Sequence, residues 1–371
     1  MSDTPLRVVA DEHIFAVRDA LACLPSYWAE VVVLPTAKIT AATVRDADVL
    51  LTRTGVRVDA ALLQGSKVRF AGTATIGDDH YDKTWLNEQG VAWATAAGSS
   101  TLSVVEYVLA ALFHCHSEDE LKGLTLGIVG VGRIGRVLAK VCERLGMRVL
   151  RNDPPRARLE GAAGFVSLDD VLAQADIVTL HTPLIRDGLD ATEQLLDDVR
   201  LGQFKGHTII NAARGACVDN QALLRWLDKH AAHQAVMDCW EHEPKILATL
   251  LQHQGCIVAT PHIAGHSLDG KAANTQYIYD ALCRFLQIEA VWDMEQSLPP
   301  VSPLDDAAMP YSELVQRLYP IAADSQALKR TLEVSEAERG QAFVHIRRHY
   351  PVRRRWVKQS QRMVELFRAL L

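Results

Sequence analysis

Residues 126–136 read LGIVGVGRIGR, an apolar run that ends on glycines at the spacing G-x-G-x-x-G. Glycines at this spacing allow a tight strand-to-helix turn, a close approach of the backbone to a pyrophosphate, and close helix–strand packing. The amphipathic IGRVLAKVCERLG that follows predicts a helix whose free N–H groups and positive dipole end face the phosphates. We therefore predict a dinucleotide-binding Rossmann unit, in which the cofactor-binding residues include Gly130, Gly132, Arg133, Ile134 and Gly135.

An acidic residue, Asp153, ends the next predicted strand. A carboxylate at this place can accept hydrogen bonds from the adenosine ribose and would repel a 2′-phosphate, so it favours NAD over NADP. Arg151, Arg156 and Arg158 lie nearby in the sequence and weaken this discrimination. A glycine turn that binds no ligand is the alternative interpretation.

On both sides of the glycines, short apolar runs alternate with amphipathic segments of helical length, which is typical of βα units on a parallel sheet. Before residue 96 the runs LRVVA, VVVL, DVLLT, VRFAG and VAWAT predict five strands, and residues 99–116 predict one buried helix. A second series runs through TLGIVG, MRVLRND, DIVTLHT, HTIINAA, QAVMDCW and CIVATPH. The predicted fold class is α/β, with two doubly wound parallel-sheet domains.

A proline-rich stretch, SLPPVSPLDDAAMP at residues 297–310, indicates a linker before a last amphipathic region. We expect a substrate domain from residues 1–97 and 267–290, and an NAD-binding domain from residues 98–266. Residues 291–371 would form a small C-terminal domain, which we interpret as an association module.

Composition limits the classes of function. The 371 residues are 49% apolar and 23% charged, with a formal net charge of −6, which argues against broad nucleic-acid or membrane binding. The start of the chain lacks a signal-peptide pattern, and seven dispersed cysteines without a C-x-x-C pair suggest free thiols in a reducing compartment, so we expect a cytoplasmic protein. The HCH cluster at residues 114–116 has no second ligand pair, and we predict no metal.

Three later segments, NAARG, DCWEHEP and TPHIAG, carry polar residues at predicted strand ends, where open parallel sheets bind ligands. They supply Arg214, Glu243 and His262. Oxidation of a hydroxyl-bearing carbon needs a base for the hydroxyl proton, and a histidine–carboxylate pair can provide it near neutral pH. A planar guanidinium can bind a substrate carboxylate bidentately. We predict hydride transfer with these three residues as the catalytic set.

The order GIVGVGRIG, DPP, HTPL, NAARG, DCWEHEP and TPHIAG resembles the D-isomer-specific 2-hydroxyacid dehydrogenase family over nearly the full length of the chain. Within the family, FAGTATIGDDHYD, HIAGHSLDGKA and the tail with LVQRLYPI and FVHIRRHY are similar to the branch that oxidises 4-phospho-D-erythronate to 2-oxo-3-hydroxy-4-phosphobutanoate in pyridoxal 5′-phosphate biosynthesis. The resemblance implies NAD as cofactor, a flavodoxin-like substrate domain, and a homodimer formed by an α+β C-terminal domain.

The resemblance also implies a role for individual residues. Arg214 would bind the substrate carboxylate, and His262 would be the acid/base with Glu243 as its partner. Further cofactor and substrate contacts would come from residues spread over the chain: for NAD, Asp153 at the ribose with Thr182, Asp238 and Gly265, and for the substrate, Thr54, Thr75 and His266, which stands where the family usually has tyrosine.

Two alternatives remain open. One is another D-2-hydroxyacid dehydrogenase, such as one acting on 3-phosphoglycerate. The other is an NAD-sensing binding protein of the same fold, like the C-terminal-binding-protein corepressors, which retain the Arg–Glu–His set. A phosphorylated substrate also requires a cation at its far end, and the candidates are Arg53, Lys271, Arg347 and Arg348.

Overall fold

A computed structural model describes residues 5–25, 29–350 and 353–368. The chain folds into two compact units. Unit 1 comprises residues 1–100 and 267–301, and unit 2 comprises residues 101–266 and 302–371.

Eleven strands occur in the described residues: β1 (Leu6–Asp11), β2 (Ala29–Leu34), β3 (Val49–Thr52), β4 (Phe70–Thr73), β5 (Ala92–Thr95), β6 (Thr125–Val129), β7 (Arg148–Asn152), β8 (Ile177–Leu180), β9 (Thr208–Asn211), β10 (Gln234–Met237) and β11 (Cys256–Ala259). They confirm the strands predicted from the apolar runs.

The α-helices are α1 (Val17–Ala22), α2 (Ala41–Val44), α3 (Ala60–Leu63), α4 (Lys83–Glu88), α5 (Thr101–Cys115), α6 (Glu118–Gly123), α7 (Arg133–Arg144), α8 (Pro154–Glu160), α9 (Leu168–Gln174), α10 (Asp198–Gln203), α11 (Asn220–Lys229), α12 (Ala248–Gln252), α13 (Leu268–Leu286), α14 (Tyr311–Leu318), α15 (Ile321–Lys329), α16 (Glu336–Arg348) and α17 (Gln361–Leu366). None of those in the described part of the chain has both the length and the apolar character needed to cross a bilayer.

Unit 1 is built on a five-stranded parallel sheet in the order β2-β1-β3-β4-β5. This is the flavodoxin-like order, as expected. The helices cover both faces because both faces of the central strands are apolar. Leu282 of α13 packs with Val8 and Leu51 on one face, and Leu86 of α4 packs with Leu50 on the other.

Unit 2 contains a six-stranded parallel sheet in the order β11-β10-β9-β8-β6-β7. Strand β7 is added on one side of β6, and the later strands are added on the other side, beginning with β8. The point between β6 and β8 where the strand order reverses is where such sheets bind nucleotides. Beyond the edge strand β7, the Val166 amide donates to the Arg151 carbonyl oxygen at 2.8 Å. A single backbone contact therefore stands where the usual Rossmann order has one more strand.

The helix α5, predicted over residues 99–116, is the centre of the larger core. Its Leu109 and Leu112 are buried together with Leu314 and Val315 of α14. The C-terminal helices α14 and α15 bury their apolar faces against α5, because that helix offers the apolar surface that short amphipathic helices need for stability.

Contacts within the chain group it into two units, and the three-domain division stays a prediction. Residues from 302 onward belong to unit 2, while residues 291–301 belong to unit 1, so contacts within the chain do not separate a C-terminal domain from residue 291. Residues 302–350 and 353–368 form helices and turns without a β-strand, whereas an α+β composition was expected. Leu314 and Val315 of α14 are buried in the core around α5, while Leu328 of α15 and Phe343 of α16 are buried in the core on the other face of the sheet.

Candidate active site

The glycine turn after β6 requires glycine at two of its positions. Gly130 has φ +89°, and a Cβ there would lie 2.8 Å from the His181 carbonyl carbon. A Cβ on Gly135 would lie 2.2 Å from the Gly130 carbonyl oxygen. Gly132, by contrast, faces open space and precedes the first turn of α7. In the described chain no side chain caps this helix, so its first N–H groups fit a pyrophosphate.

Asp153, which follows β7, lies beside this turn. Its carboxylate accepts hydrogen bonds from the Val131 amide at 2.8 Å and from the Arg156 amide at 3.1 Å. The three arginines that weakened the preference for NAD are paired with acidic side chains: Arg151 with Glu143, Arg156 with Glu160 and Arg158 with Asp190. Their pairing reduces the attraction that a 2′-phosphate would experience, so the geometry favours an unphosphorylated ribose.

Thr182 follows β8 and lies against the same turn. A Cβ on Gly130 would lie 2.9 Å from the backbone nitrogen of Thr182. The Thr182 hydroxyl is 3.5 Å from the Cys217 thiol. Both loops of the switch point, after β6 and after β8, are therefore in contact where the cofactor is expected.

Arg214 follows β9 in a loop that is bonded to the loop after β10. The side-chain amide of Asn211 donates to the carbonyl oxygens of Arg214 at 3.1 Å and of Cys239 at 3.2 Å. Gly215 brings the two loops together, since a Cβ at this position would lie 1.8 Å from the Trp240 carbonyl oxygen. Arg214 is half-buried, and its guanidinium donates to the Ala213 carbonyl oxygen at 2.8 Å.

Glu243 and His262 form a hydrogen-bonded pair, with His262 Nδ1 2.9 Å from Glu243 Oε2. The other carboxylate oxygen accepts from the Trp240 amide at 2.8 Å. The side chains are 30% exposed for His262 and 21% for Glu243, so the imidazole remains accessible. Burial raises the pKa of Glu243, but the neighbouring His262 and these hydrogen bonds outweigh it and hold the pKa below its usual range. Glu243 is therefore ionised at neutral pH.

Asp238 lies beneath the loop that carries His262 and is fully buried. Its carboxylate accepts hydrogen bonds from the amides of Ile263 at 2.7 Å and Ala264 at 2.9 Å, and from the Thr260 hydroxyl at 2.7 Å. Burial raises its pKa, and the nearby His262 and these donors offset part of that effect. Asp238 thus shapes the loop after β11, which also contains Gly265.

Comparison with known proteins identifies the family. Residues 110–264 match the family model described as D-isomer specific 2-hydroxyacid dehydrogenase, NAD binding domain. The chain is 41% identical to erythronate-4-phosphate dehydrogenase of Pseudomonas syringae pv. syringae, covering 98% of this chain and 99% of that one. It is 42% identical to the enzyme of the same name from Pseudomonas fluorescens, covering 94% and 92%. The chain belongs to the D-isomer specific 2-hydroxyacid dehydrogenase family.

Solved structures of the family share its fold. D-Lactate dehydrogenase from Aquifex aeolicus, complexed with NAD and lactic acid, has a TM-score of 0.62 at 21% identity, covering 76% of this chain and 95% of that one. The NAD-bound 3-phosphoglycerate dehydrogenase of Entamoeba histolytica has a TM-score of 0.62 at 20% identity, covering 76% and 96%. The family model and the curated relatives, which align over nearly the whole chain, make the protein an NAD-dependent oxidoreductase.

The three residues expected to touch the 2-hydroxyacid lie in different surroundings. In unit 1, Thr54 is exposed after β3, and Thr75 is buried after the neighbouring strand β4, where it donates to the Gly77 carbonyl oxygen at 2.9 Å. In unit 2, His266 ends the loop after β11, with its ring 6.4 Å from that of Tyr350. Their contacts with substrate remain predictions.

The dehydrogenase also presents one set of metal-ligating atoms in the described residues, on Cys239, Glu243 and His262, which lie within 4.8 Å of one another. Sequence reasoning placed no metal there and considered only residues 114–116. Burial raises the pKa of the Cys239 thiol well above its usual range, and the nearby Asp238 and Glu243 raise it further. The thiol therefore resists the deprotonation that metal binding requires.

Sequence reasoning missed the residues that hold together the loops carrying Arg214, Glu243 and His262. Asn211 and Gly215 flank Arg214 within NAARG, and their positions beside a strand end were the available signal. Thr260 also links Asp238 to Tyr107, whose hydroxyl is 2.7 Å from that of Thr260. Because Tyr107 lies in α5, far away in sequence, no local pattern could indicate this contact.

Proposed function

We propose that the chain oxidises the C2 hydroxyl of 4-phospho-D-erythronate to 2-oxo-3-hydroxy-4-phosphobutanoate, with NAD as hydride acceptor, in the biosynthesis of pyridoxal 5′-phosphate. The observation that carries the proposal is the 2.9 Å contact between His262 and Glu243, on loops that follow strands of an NAD-binding sheet. The relatives named erythronate-4-phosphate dehydrogenase, which align over nearly the whole chain, support the choice of substrate.

Arg214 is proposed to bind the C1 carboxylate of the substrate. A guanidinium offers two parallel N–H donors that match a carboxylate, and it keeps its positive charge at every physiological pH. The same charge would polarise the C2–O bond as the carbonyl forms. The contacts that Asn211 and Gly215 make on either side of Arg214 support a fixed orientation.

His262 is proposed to accept the hydroxyl proton. The ionised Glu243 accepts a hydrogen bond from the protonated Nδ1, which leaves the lone pair of Nε2 available as a base. As the proton moves to Nε2, the carboxylate stabilises the imidazolium that forms. When bound, NAD supplies the acceptor for the hydride that leaves C2. The C2–H bond electrons thus leave as hydride, the O–H proton goes to His262, and the carbon–oxygen double bond forms.

The phosphate of the substrate needs a cation of its own, and two places in the chain support one. In unit 1, Lys271 and Arg53 lie close together. Burial lowers the pKa of Lys271, and the positive charge of Arg53 lowers it further. In unit 2, the positive charge of Arg347 in α16 helps to lower the pKa of Glu243. Its contribution is smaller than those of His262 and of the hydrogen bond from the Trp240 amide. We propose Arg347 as a phosphate ligand because it is the candidate cation that acts on the catalytic pair.

The expected homodimer and the cytoplasmic location are part of this proposal. The family resemblance supports dimerisation through the C-terminal segment, and sedimentation of the full chain would measure it.

A substrate panel tests the proposed function. Purified protein with NAD would be offered 4-phospho-D-erythronate and 3-phosphoglycerate, each with and without an added 2-oxo acid acceptor. We expect turnover with the first acid and at most about a hundredth of its kcat/KM with the second, a difference of about 2.7 kcal/mol in transition-state binding. A preference for 3-phosphoglycerate would assign the chain to the alternative dehydrogenase. Binding of NAD without turnover of either acid would favour the corepressor-like alternative.

A further inference from the structure

A buried arginine of the C-terminal segment has no part in the chemistry described so far. Arg353 follows α16 and is only 9% exposed. A cation is rarely buried this deeply unless most of its donors have acceptors. The partners of its guanidinium therefore indicate its purpose.

Those partners are mainly backbone carbonyl oxygens of the loop after β11. One terminal nitrogen of Arg353 donates to the Ala264 carbonyl oxygen at 2.7 Å and to that of Ser103 at 2.9 Å. The other donates to the His266 carbonyl oxygen at 3.2 Å. One rigid guanidinium thus spans two positions of the loop that carries His262, and it ties that loop to the first turn of α5.

Asp238 contacts the backbone N–H groups of the same loop. The carboxylate of Asp238 accepts from the amides of Ile263 and Ala264, while the guanidinium of Arg353 donates to the carbonyl of Ala264. The loop is therefore fixed between a carboxyl group that accepts from its N–H groups and a guanidinium that donates to its carbonyl groups. In this loop His262 has φ +57°, a backbone conformation that a non-glycine residue keeps only where the surroundings enforce it.

Arg353 is itself held in place by aromatic residues of the C-terminal segment. Its guanidinium lies 4.2 Å from the ring centroid of Tyr319 and 3.3 Å from the Tyr350 hydroxyl. The Tyr350 hydroxyl in turn donates to Asp324 at 2.8 Å. These contacts restrict the guanidinium to one orientation, which is what a positioning group requires.

We propose that Arg353 is a positioning residue that holds the loop carrying His262, so that the C-terminal segment contributes to turnover within its own chain. This inference rests on the proposed role of His262. Lysine cannot replace arginine here, because a single ammonium lacks the planar fork that reaches both Ala264 and His266. A displacement of the imidazole of about 1 Å can lower a rate by about a hundredfold.

The test compares Arg353→Lys with a matched control, Arg144→Lys. Arg144 in α7 also joins the NAD-binding part of unit 2 to the C-terminal segment, by donating to the Leu366 carbonyl oxygen at 2.6 Å, but it does not touch the loop of His262. Three quantities would be measured for the full-length proteins: kcat and KM with 4-phospho-D-erythronate, the Kd of NAD, and hydrogen–deuterium exchange of the amides of residues 263–266.

We expect kcat of Arg353→Lys to fall about tenfold to a hundredfold, with KM changed by less than about threefold, and the amides of 263–266 to exchange faster. Arg144→Lys should leave kcat and this exchange unchanged. Equal kcat values for Arg353→Lys and the wild type, or equal losses in both variants, would overturn the inference. If the wild type itself shows no turnover, the proposed function fails, while the exchange of 263–266 still decides whether Arg353 holds the loop.

Discussion

At the scale of single residues, the proposed catalytic pair, Glu243 and His262, lies beside two backbone conformations that histidine rarely adopts. His262 has φ +57°, and the neighbour of Glu243, His242, has φ +59°. Asparagine tolerates this region better than most residues do. Both histidines can therefore be replaced by asparagine in similar backbone conformations. Of the two side chains, that of His262 forms the hydrogen bond with Glu243.

His262→Asn should lower kcat by about 10²- to 10⁴-fold, because it removes the proton acceptor, while the Kd of NAD changes little. His242→Asn is the matched control and should retain kcat within about threefold. Steady-state kinetics and NAD titration of both variants would check this. Similar losses in the two variants would show that the backbone conformation, and not the imidazole of His262, is what matters.

A second residue-scale prediction concerns the phosphate. Arg347 is half-buried near the catalytic pair, whereas its neighbour Arg348 is exposed. Arg347→Glu should raise KM for 4-phospho-D-erythronate at least about tenfold, since a charge-assisted hydrogen bond contributes about 1.5–3 kcal/mol. Arg348→Glu should change KM by less than about threefold. A KM that is unaffected by Arg347→Glu would exclude this residue as a phosphate ligand.

At the scale of elements, two glycines of the turn after β6 are expected to serve different purposes, Gly135 in backbone packing and Gly132 in cofactor binding. Gly135 packs against the Gly130 carbonyl oxygen, while a Cβ on Gly132 would have no neighbouring atom within 4 Å. Cofactor approach and backbone packing therefore require glycine at different positions of the same motif.

Gly135→Ala should lower the free energy of unfolding by about 1–3 kcal/mol and also weaken NAD binding, because the added methyl group overpacks the turn. Gly132→Ala should leave the free energy of unfolding within about 1 kcal/mol of the wild type while raising the Kd of NAD. Denaturant unfolding and NAD titration of the two variants would measure both effects. Unchanged NAD affinity in Gly132→Ala would place the pyrophosphate elsewhere.

The elements also show how far sequence reasoning reaches. The strands and α5 could be predicted because apolar periodicity reports burial directly, and Arg214, Glu243 and His262 could be singled out because each follows a strand. The supports of these residues could not be predicted. Asp238 and Arg353 hold the His262 loop from opposite sides, and which loops meet depends on tertiary packing between segments that are distant in sequence.

At the scale of the whole molecule, the C-terminal residues pack within the unit that contains the NAD-binding sheet. The proline-rich stretch at 297–310 predicts a linker, and beyond it α14 buries Leu314 and Val315 in the core formed by α5. A linker composition reports local flexibility and does not reveal where the next apolar face packs. Residues beyond the linker, such as Arg353, therefore contact the loop that carries His262 in their own chain.

The cofactor preference is a property of the whole molecule that can be measured without substrate. Asp153 at the end of β7, with the paired arginines around it, favours NAD. NAD at a hundred times its Kd should raise the free energy of unfolding by about 2.7 kcal/mol, because it binds the folded state alone. NADP at the same concentration should have a much smaller effect in a thermal unfolding assay. Equal stabilisation by both would contradict the role of Asp153.

Arg214, Glu243 and His262 are proposed to oxidise a 2-hydroxyacid together, with NAD as the hydride acceptor. The most direct measurement is a single turnover of excess protein with 4-phospho-D-erythronate, followed by the absorbance of reduced nicotinamide, in the wild type and in Arg214→Ala. We predict rapid reduction in the wild type, and in the variant a rate lower by at least about 10²-fold with NAD still bound. Equal rates of reduction in the two proteins would contradict the account.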